Sequence, residues 1–386
     1  MEKIDIKIVA IVIVACLIMA AVGFVIFNTG KPISKANNSK ITVTDMEGRM
    51  VTMNYPVERI IMTESSRTTE LSAIYGDGFE DKIVGWDDDF KNFAGDGYQC
   101  YVKKYPMMAD VPDVGSVEDG TFSVEKVILL KPDVVIMHNW MYSYNEESTK
   151  DVVSKLDRAG IPVLFVDFYL DPMNNTTKSM LLFGKIMGKE QRAQEIVSFY
   201  NSRTNAVYSR LANIQGNKPD VYIEVGIKGP SDYGDSFGNI AWGSMIPKAG
   251  GNNIAEPLLG NKDEPISPEY IVDHNPDVII LTGRNWSMPG SLRLGYTTSA
   301  DVAKNTMAPF LQRPGWNTLD AVKNHRVYGI YHGYCLSIYN FVALEAMAKW
   351  FYPEEFKDVD PNATLKEFHE KFMPVEYTGT FLYSYY

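Results

Sequence analysis

Residues 8–27 form an apolar run of 20 positions without a charged or polar side chain. At ~1.5 Å per helical residue the run reaches ~30 Å, the hydrocarbon thickness of a bilayer. A cleaved signal peptide carries a shorter apolar stretch, about 7–15 residues. The pattern therefore predicts an uncleaved transmembrane anchor at 8–27. Ile13, Val14, Ala15 and Cys16 superficially resemble a lipoprotein cleavage site, but eleven more apolar residues follow Cys16. Lys3 and Lys7 precede the run and Lys31, Lys35 and Lys40 follow it, so lysine placement does not set its orientation. Residues 28–40, rich in Asn, Ser, Lys and Gly, read as a flexible tether.

Beyond the tether the apolar period changes. Residues 41–53 alternate around a Glu47–Gly48 turn and predict a hairpin. Short β-branched runs at 59–62, 82–85, 134–137 and 162–166 predict strands, with helical patterns at 68–75 and 152–159 between them. Alternation of strand and helix predicts parallel sheets covered by helices. Residues 174–214 then keep helical spacing without a proline. Read as one helix, this stretch would span roughly 60 Å and link two lobes. Gly184 and Gly188 leave open two helices broken near Gly188. Strands resume at 221–225 and 278–281, and a helix is predicted at 338–351. The fold class is thus α/β: a lobe at 41–172, an interlobe helix at 173–214 and a lobe at 215–386.

One segment occurs twice. Ser123, Glu125, Pro132 and Asp133 precede the strand Val134–Val135–Ile136. Ser267, Glu269, Pro276 and Asp277 fall at the same offsets before Val278–Ile279–Ile280. Serine can cap a helix start and glutamate suits its first turn. Proline then ends the helix. Glu125 and Glu269 need no role beyond helix stabilisation on this reading, and duplicated lobes would place them equivalently.

Bulk properties narrow the field. A chain of 386 residues accommodates two lobes. Its net charge of −11 argues against nucleic acid or anionic lipid as a partner, since both need a basic face. Cys100 and Cys335 could form one bridge or remain two buried thiols. No CxxC, HExxH or Cys/His cluster suggests a structural metal site.

The chain resembles the periplasmic binding proteins for iron–siderophore complexes and vitamin B12, class III of the substrate-binding proteins of ABC importers. The matching residues begin with Asp45-Met46-Glu47-Gly48-Arg49, Arg59-Ile60-Ile61, and Thr69-Glu70-Leu71 before Val84-Gly85. They continue with the two Glu-to-Pro-Asp segments, Gly160-Ile161-Pro162-Val163 and Ala249-Gly250-Gly251-Asn252-Asn253-Ile254. They end with the helix closing on Ala348-Lys349-Trp350-Phe351. The similarity runs from about residue 41 to 375. It implies two α/β lobes joined by one long helix, the helical-backbone metal-receptor type, here preceded by the transmembrane helix read at 8–27. It also implies an extracytoplasmic binding domain anchored in the cell membrane, with residues 1–7 as a cytoplasmic stub. The ligand would lie between the lobes, and Glu125 and Glu269 would dock on arginines of a permease dimer served by its ATPase. The chain is expected to act as a monomer, without a cofactor or catalysis of its own.

Ligands of such sheets bind beyond the carboxyl ends of strands. Those loops hold Arg67, Trp86, Trp140, Tyr169, Trp242, Arg284, Trp286, His332 and Tyr334. Flat aromatics suit a macrocycle or siderophore rings, and arginines suit an anionic chelate. The expected ligand is an iron or cobalt chelate: a ferric siderophore, haem or corrinoid. Lobe packing is the alternative for each aromatic, Trp140 and Trp286 being the ones whose polar neighbours just after strands favour the cleft, and His138 and His332 are either metal ligands or plain loop histidines. Three alternatives stand beside this reading: an oxyanion such as molybdate in the same cleft, a surface sensor, and a chelate-processing enzyme. The chain shows no P-loop, GxGxxG or GxSxG for the last.

Overall fold

A computed structural model describes residues 39–386 of the chain. The anchor at 8–27 and nearly all of the tether at 28–40 lie outside the described residues. Among the described residues no helix is long and apolar enough to cross a membrane.

The chain enters as the expected hairpin, β1 (Lys40–Thr44) and β2 (Met50–Asn54), paired antiparallel. Alternation buries Val43, Val51 and Met53 on one face. Asp45 organises the turn. Its carboxylate accepts the Glu47 and Arg49 amides at 3.0 and 2.9 Å and pairs with the Arg49 guanidinium at 2.7 Å. It also accepts the Phe165 amide at 3.2 Å, which docks the hairpin on the first lobe.

That lobe has a four-stranded parallel sheet of β3 (Ile60–Met62), β4 (Ile83–Trp86), β5 (Val134–His138) and β6 (Val163–Val166), in the order β4-β3-β5-β6. The second lobe contains β7 (Asp220–Val225), β8 (Asp235–Phe237), β9 (Asn252–Asn253), β10 (Asp263–Pro265), β11 (Val278–Gly283), β12 (Val327–Tyr331) and β13 (Leu382–Ser384). Five of these form a sheet in the order β13-β12-β11-β7-β9, parallel except for the terminal strand β13. β8 and β10 pair separately.

The single helix expected at 173–214 is two helices, α1 (Pro172–Ile186) and α2 (Glu190–Leu211). The chain turns sharply at Gly188, whose φ of +63° is costly for a side-chain-bearing residue. α1 and α2 then pack against each other. A Cβ on Gly184 would fall 2.3 Å from the Ala193 Cβ, so the missing side chain permits that approach. The connector between lobes is therefore α2 alone, 22 residues and about 33 Å long.

The repeat holds in three dimensions. α3 (Val124–Leu130) and α4 (Pro268–His274) have seven residues each. Ser123 and Ser267 accept the amide three residues on, both at 3.2 Å. Lys131 and Asn275 end the helices in left-handed conformation. The aspartate after each proline caps a neighbouring strand: Asp133 accepts the Glu58 and Arg59 amides, and Asp277 accepts the Asp220 amide. The pattern thus encodes how a helix hands over to a strand and anchors the strand beside it.

Gly184→Ala should destabilise the fold by about 1–3 kcal/mol through overpacking at Ala193. Urea unfolding would read this as a lower midpoint. An unchanged midpoint would mean the two helices separate at little cost.

Candidate ligand cleft between the lobes

The carboxyl ends of both sheets face one cavity of about 990 Å³. Glu64 follows β3, Asp87 follows β4 and Trp140 follows β5. Tyr169 follows β6 by three residues. From the other lobe come Ile227 after β7, Arg284 and Trp286 after β11, and His332 after β12. Parallel strands place their following loops on one side, so residues remote in sequence converge.

Of the expected ligand residues, Trp140, Tyr169, Trp242, Arg284, Trp286 and His332 line this cavity. Trp140 donates its indole N–H to Glu64 at 3.1 Å, and its ring lies 6.3 Å from that of Tyr169. Tyr169 donates its hydroxyl to Asp263 of the second lobe at 3.0 Å, closing one edge of the cleft. Trp286 and Trp242 flank His332, with ring centres 5.3 and 6.4 Å from it.

Three expected residues do not line it. Trp86 is buried edge-on against Phe90 and Tyr98. Tyr334 is fully buried and stacks on Phe381 at 5.8 Å. Both are core aromatics. Arg67 is buried behind the cleft floor, with its guanidinium 3.2 Å from Glu64 and 3.5 Å from Glu70. Two carboxylates already neutralise it and it does not border the cavity, although its Nε and Nη1 have no hydrogen-bond partner among the described residues. His138 is also buried, 3.4 Å from Glu64 and against Phe168.

His332 shares a hydrogen bond of 2.9 Å with the Thr282 hydroxyl. Burial, then the nearby Arg284 charge, lowers its pKa to about 3. The same happens at His138, where burial and Arg67 lower it to about 3. Both rings are neutral at neutral pH. On the opposite wall, burial and then the Asp89 charge push Asp87 well above the usual carboxylate range, although the Ser65 amide binds it at 2.8 Å. Asp89 is raised by burial and Glu64, with Arg284 opposing.

The carboxylates are what loop composition undersold. Asp87, Asp88, Asp89, Glu118 and Asp119 all border the cavity, beside the aromatics and arginine expected there. Three aspartates directly after a strand were the available signal. Among the described residues, no group of three His, Cys, Asp or Glu side chains is placed to hold a bare metal ion. Cys100 and Cys335 are both unbridged, and Cys335 lines the cavity.

Two α/β lobes with a cleft at their strand ends define a bilobal solute-binding protein. A family model described as periplasmic binding protein matches residues 60–332, and the chain belongs to that family. The solved structure of the TroA-like periplasmic binding protein FepB from Veillonella parvula is 36% identical, with a TM-score of 0.83. That match covers 89% of this chain and 99% of the other. The ABC transporter substrate-binding lipoprotein YvrC of Bacillus subtilis is 28% identical over 324 residues, covering 82% of this chain and 87% of its own. The molybdate-binding protein MolA of Haemophilus influenzae is 22% identical over 358 residues, covering 87% and 91%. Members of the family are extracytoplasmic solute-binding components of ABC transporters, which bind small molecules and dock on a permease.

Histidine in an unfolded chain titrates near 6.5. Below that pH the unfolded chain binds a proton that folded His332 refuses. Its contribution to stability is therefore full above about 6.5 and is lost as pH falls toward 3. From about pH 7.5 to about pH 5 the loss is on the order of 2 kcal/mol. His332→Gln should remove that share of the pH dependence in urea unfolding. Equal pH slopes in variant and parent would contradict a buried neutral ring.

Proposed function

We propose that this protein captures a metal chelate between its lobes and delivers it to an ABC permease, with residues 8–27 holding it at the membrane. The observation that carries the reading is the cavity itself. Its volume of about 990 Å³ and its indole and phenol walls suit a bulky ligand with flat faces. A tetrahedral oxyanion would fill little of that space, so a chelate is favoured over molybdate. A ferric siderophore, haem and a corrinoid are the candidate classes.

Docking is assigned to Glu125 and Glu269. Each is exposed in the first turn of its helix, one per lobe, on equivalent elements. Two matched anions on matched lobes suit a permease dimer that presents the same cationic patch twice. A sensor that does not hand on its ligand would need neither.

Titrating the purified full chain in detergent with ferric hydroxamate, haem and corrinoid should quench tryptophan fluorescence for one of them. Silence with all three would sink the chelate reading. Trp286→Ala should weaken the responding ligand by about 1–3 kcal/mol, roughly 5- to 150-fold in Kd. For docking, Glu125→Arg with Glu269→Arg should leave ligand affinity intact and abolish uptake in cells. Unimpaired uptake would rule the two glutamates out as docking groups.

A further inference from the structure

Nine of the side chains lining the cavity are carboxylates and two, Lys262 and Arg284, are cations. Several acids are already engaged. Glu64 faces Arg67, Asp235 faces Lys228, Glu264 faces Lys262, Asp263 accepts from Tyr169, and Asp87 accepts the Ser65 amide. The other four, Asp88, Asp89, Glu118 and Asp119, all from the first lobe, form no ion pair with a lysine or arginine of that lobe among the described residues, although Asp89 accepts the Ser66 amide at 3.3 Å and feels the Arg284 and Arg67 charges. Burial and the charges of Asp119, Asp89 and Glu64 raise the Glu118 pKa, so these acids act on one another as like charges. An anionic ligand would meet repulsion along this wall, and a cation would be drawn to it.

The other wall asks for something different. Trp242 is fully buried, borders the cavity, and has no hydrogen-bond partner for its indole N–H. Arg284 is 6% exposed, and among the described residues its guanidinium makes one hydrogen bond, a long 3.5 Å contact from Nε to the Tyr331 hydroxyl. Buried donors of this kind are normally satisfied. The Trp242 indole is such an unmet donor, and the Arg284 guanidinium borders the same cavity with donors to spare.

We infer that the cleft selects a chelate that is positively charged overall. Its metal-binding oxygens accept from Trp242 and Arg284, and a cationic arm lies along Asp88, Asp89, Glu118 and Asp119. This rests on the solute-binding reading above and narrows its ligand class. A ferric trihydroxamate with a protonated terminal amine has both features: a neutral oxygen-rich core and one ammonium group. A ferric tris-catecholate and molybdate offer the oxygens with the wrong charge.

A matched ligand series tests this on the unmodified full chain in detergent. The probes are the ferric complex of a linear trihydroxamate with a free terminal amine, the same complex acetylated on that amine, and a ferric tris-catecholate. Tryptophan quenching should show the amine form binding about tenfold tighter than the acetylated form. That advantage should shrink at high salt and vanish in the Glu118→Gln, Asp119→Asn variant, both exposed positions. The tris-catecholate should bind more weakly than either. Equal affinity for the amine and acetylated forms, or preference for the tris-catecholate, would overturn the charge selection and leave the solute-binding reading standing. Binding of none of the three, with haem or corrinoid bound instead, would overturn the hydroxamate-type cation while keeping the family function. Silence with every chelate would overturn both readings.

Discussion

The cleft depends on two buried carboxylates of the first lobe that hold backbone amides of the second. Glu70 accepts the Ile338 amide at 2.9 Å, and Asp96 accepts the Tyr296 amide at 2.7 Å. Both acids are fully buried. Burial alone would neutralise Glu70 and does raise its pKa, but Arg67 and the Ile338 amide oppose the shift. Burying a carboxylate is costly unless hydrogen bonds compensate, and one oxygen of each acid is met by an amide of the other lobe. Here the partners come from two lobes, so separating the lobes would strand the acids. The gap between the walls is set by this requirement. It also accounts for Arg67: the guanidinium that loop position offered to a ligand is needed by Glu70 and Glu64.

The duplicated segment shows how one short pattern can serve two scales. Its serine, left-handed end and proline–aspartate step shape each helix-to-strand passage locally. The aspartate then ties the following strand to its neighbour. Each copy also leaves one glutamate exposed on its lobe, in the first turn where the helix dipole favours it, with Glu125 also accepting a long bond from the Ser123 hydroxyl. Surface acids freed from structural duty are the ones available for recognition.

Charge in the cleft is divided between the lobes. The first lobe contributes an acidic wall, and the second contributes buried donors from Trp242 and Arg284. Neutral His332 lies between two indoles, where it adds a polar face without a charge. A ligand seated there would bridge unlike surfaces. It would complete hydrogen bonds on one side and relieve carboxylate repulsion on the other, which is a physical reason for binding to favour closed lobes.

Much was legible in the chain alone. The apolar run at 8–27, the strand periods, the repeat, and the α/β class follow from local side-chain patterning, because burial on a strand or helix face leaves a period in the sequence. Trp140 and Trp286, expected at the cleft from their places just after strands, line the cavity, as does Trp242, which sits on a helix. Three matters belonged to tertiary structure. Whether 173–214 is one helix or two turned on Gly188 and on the close approach at Gly184. Whether Trp86, Tyr334 and Arg67 meet ligand or core turned on partners far away in sequence, such as Phe381 for Tyr334. The acidic wall arose because loops from separate strands converge at one sheet end. Spacing along a chain records local geometry, whereas the charge of a cleft is a sum over residues that only folding brings together.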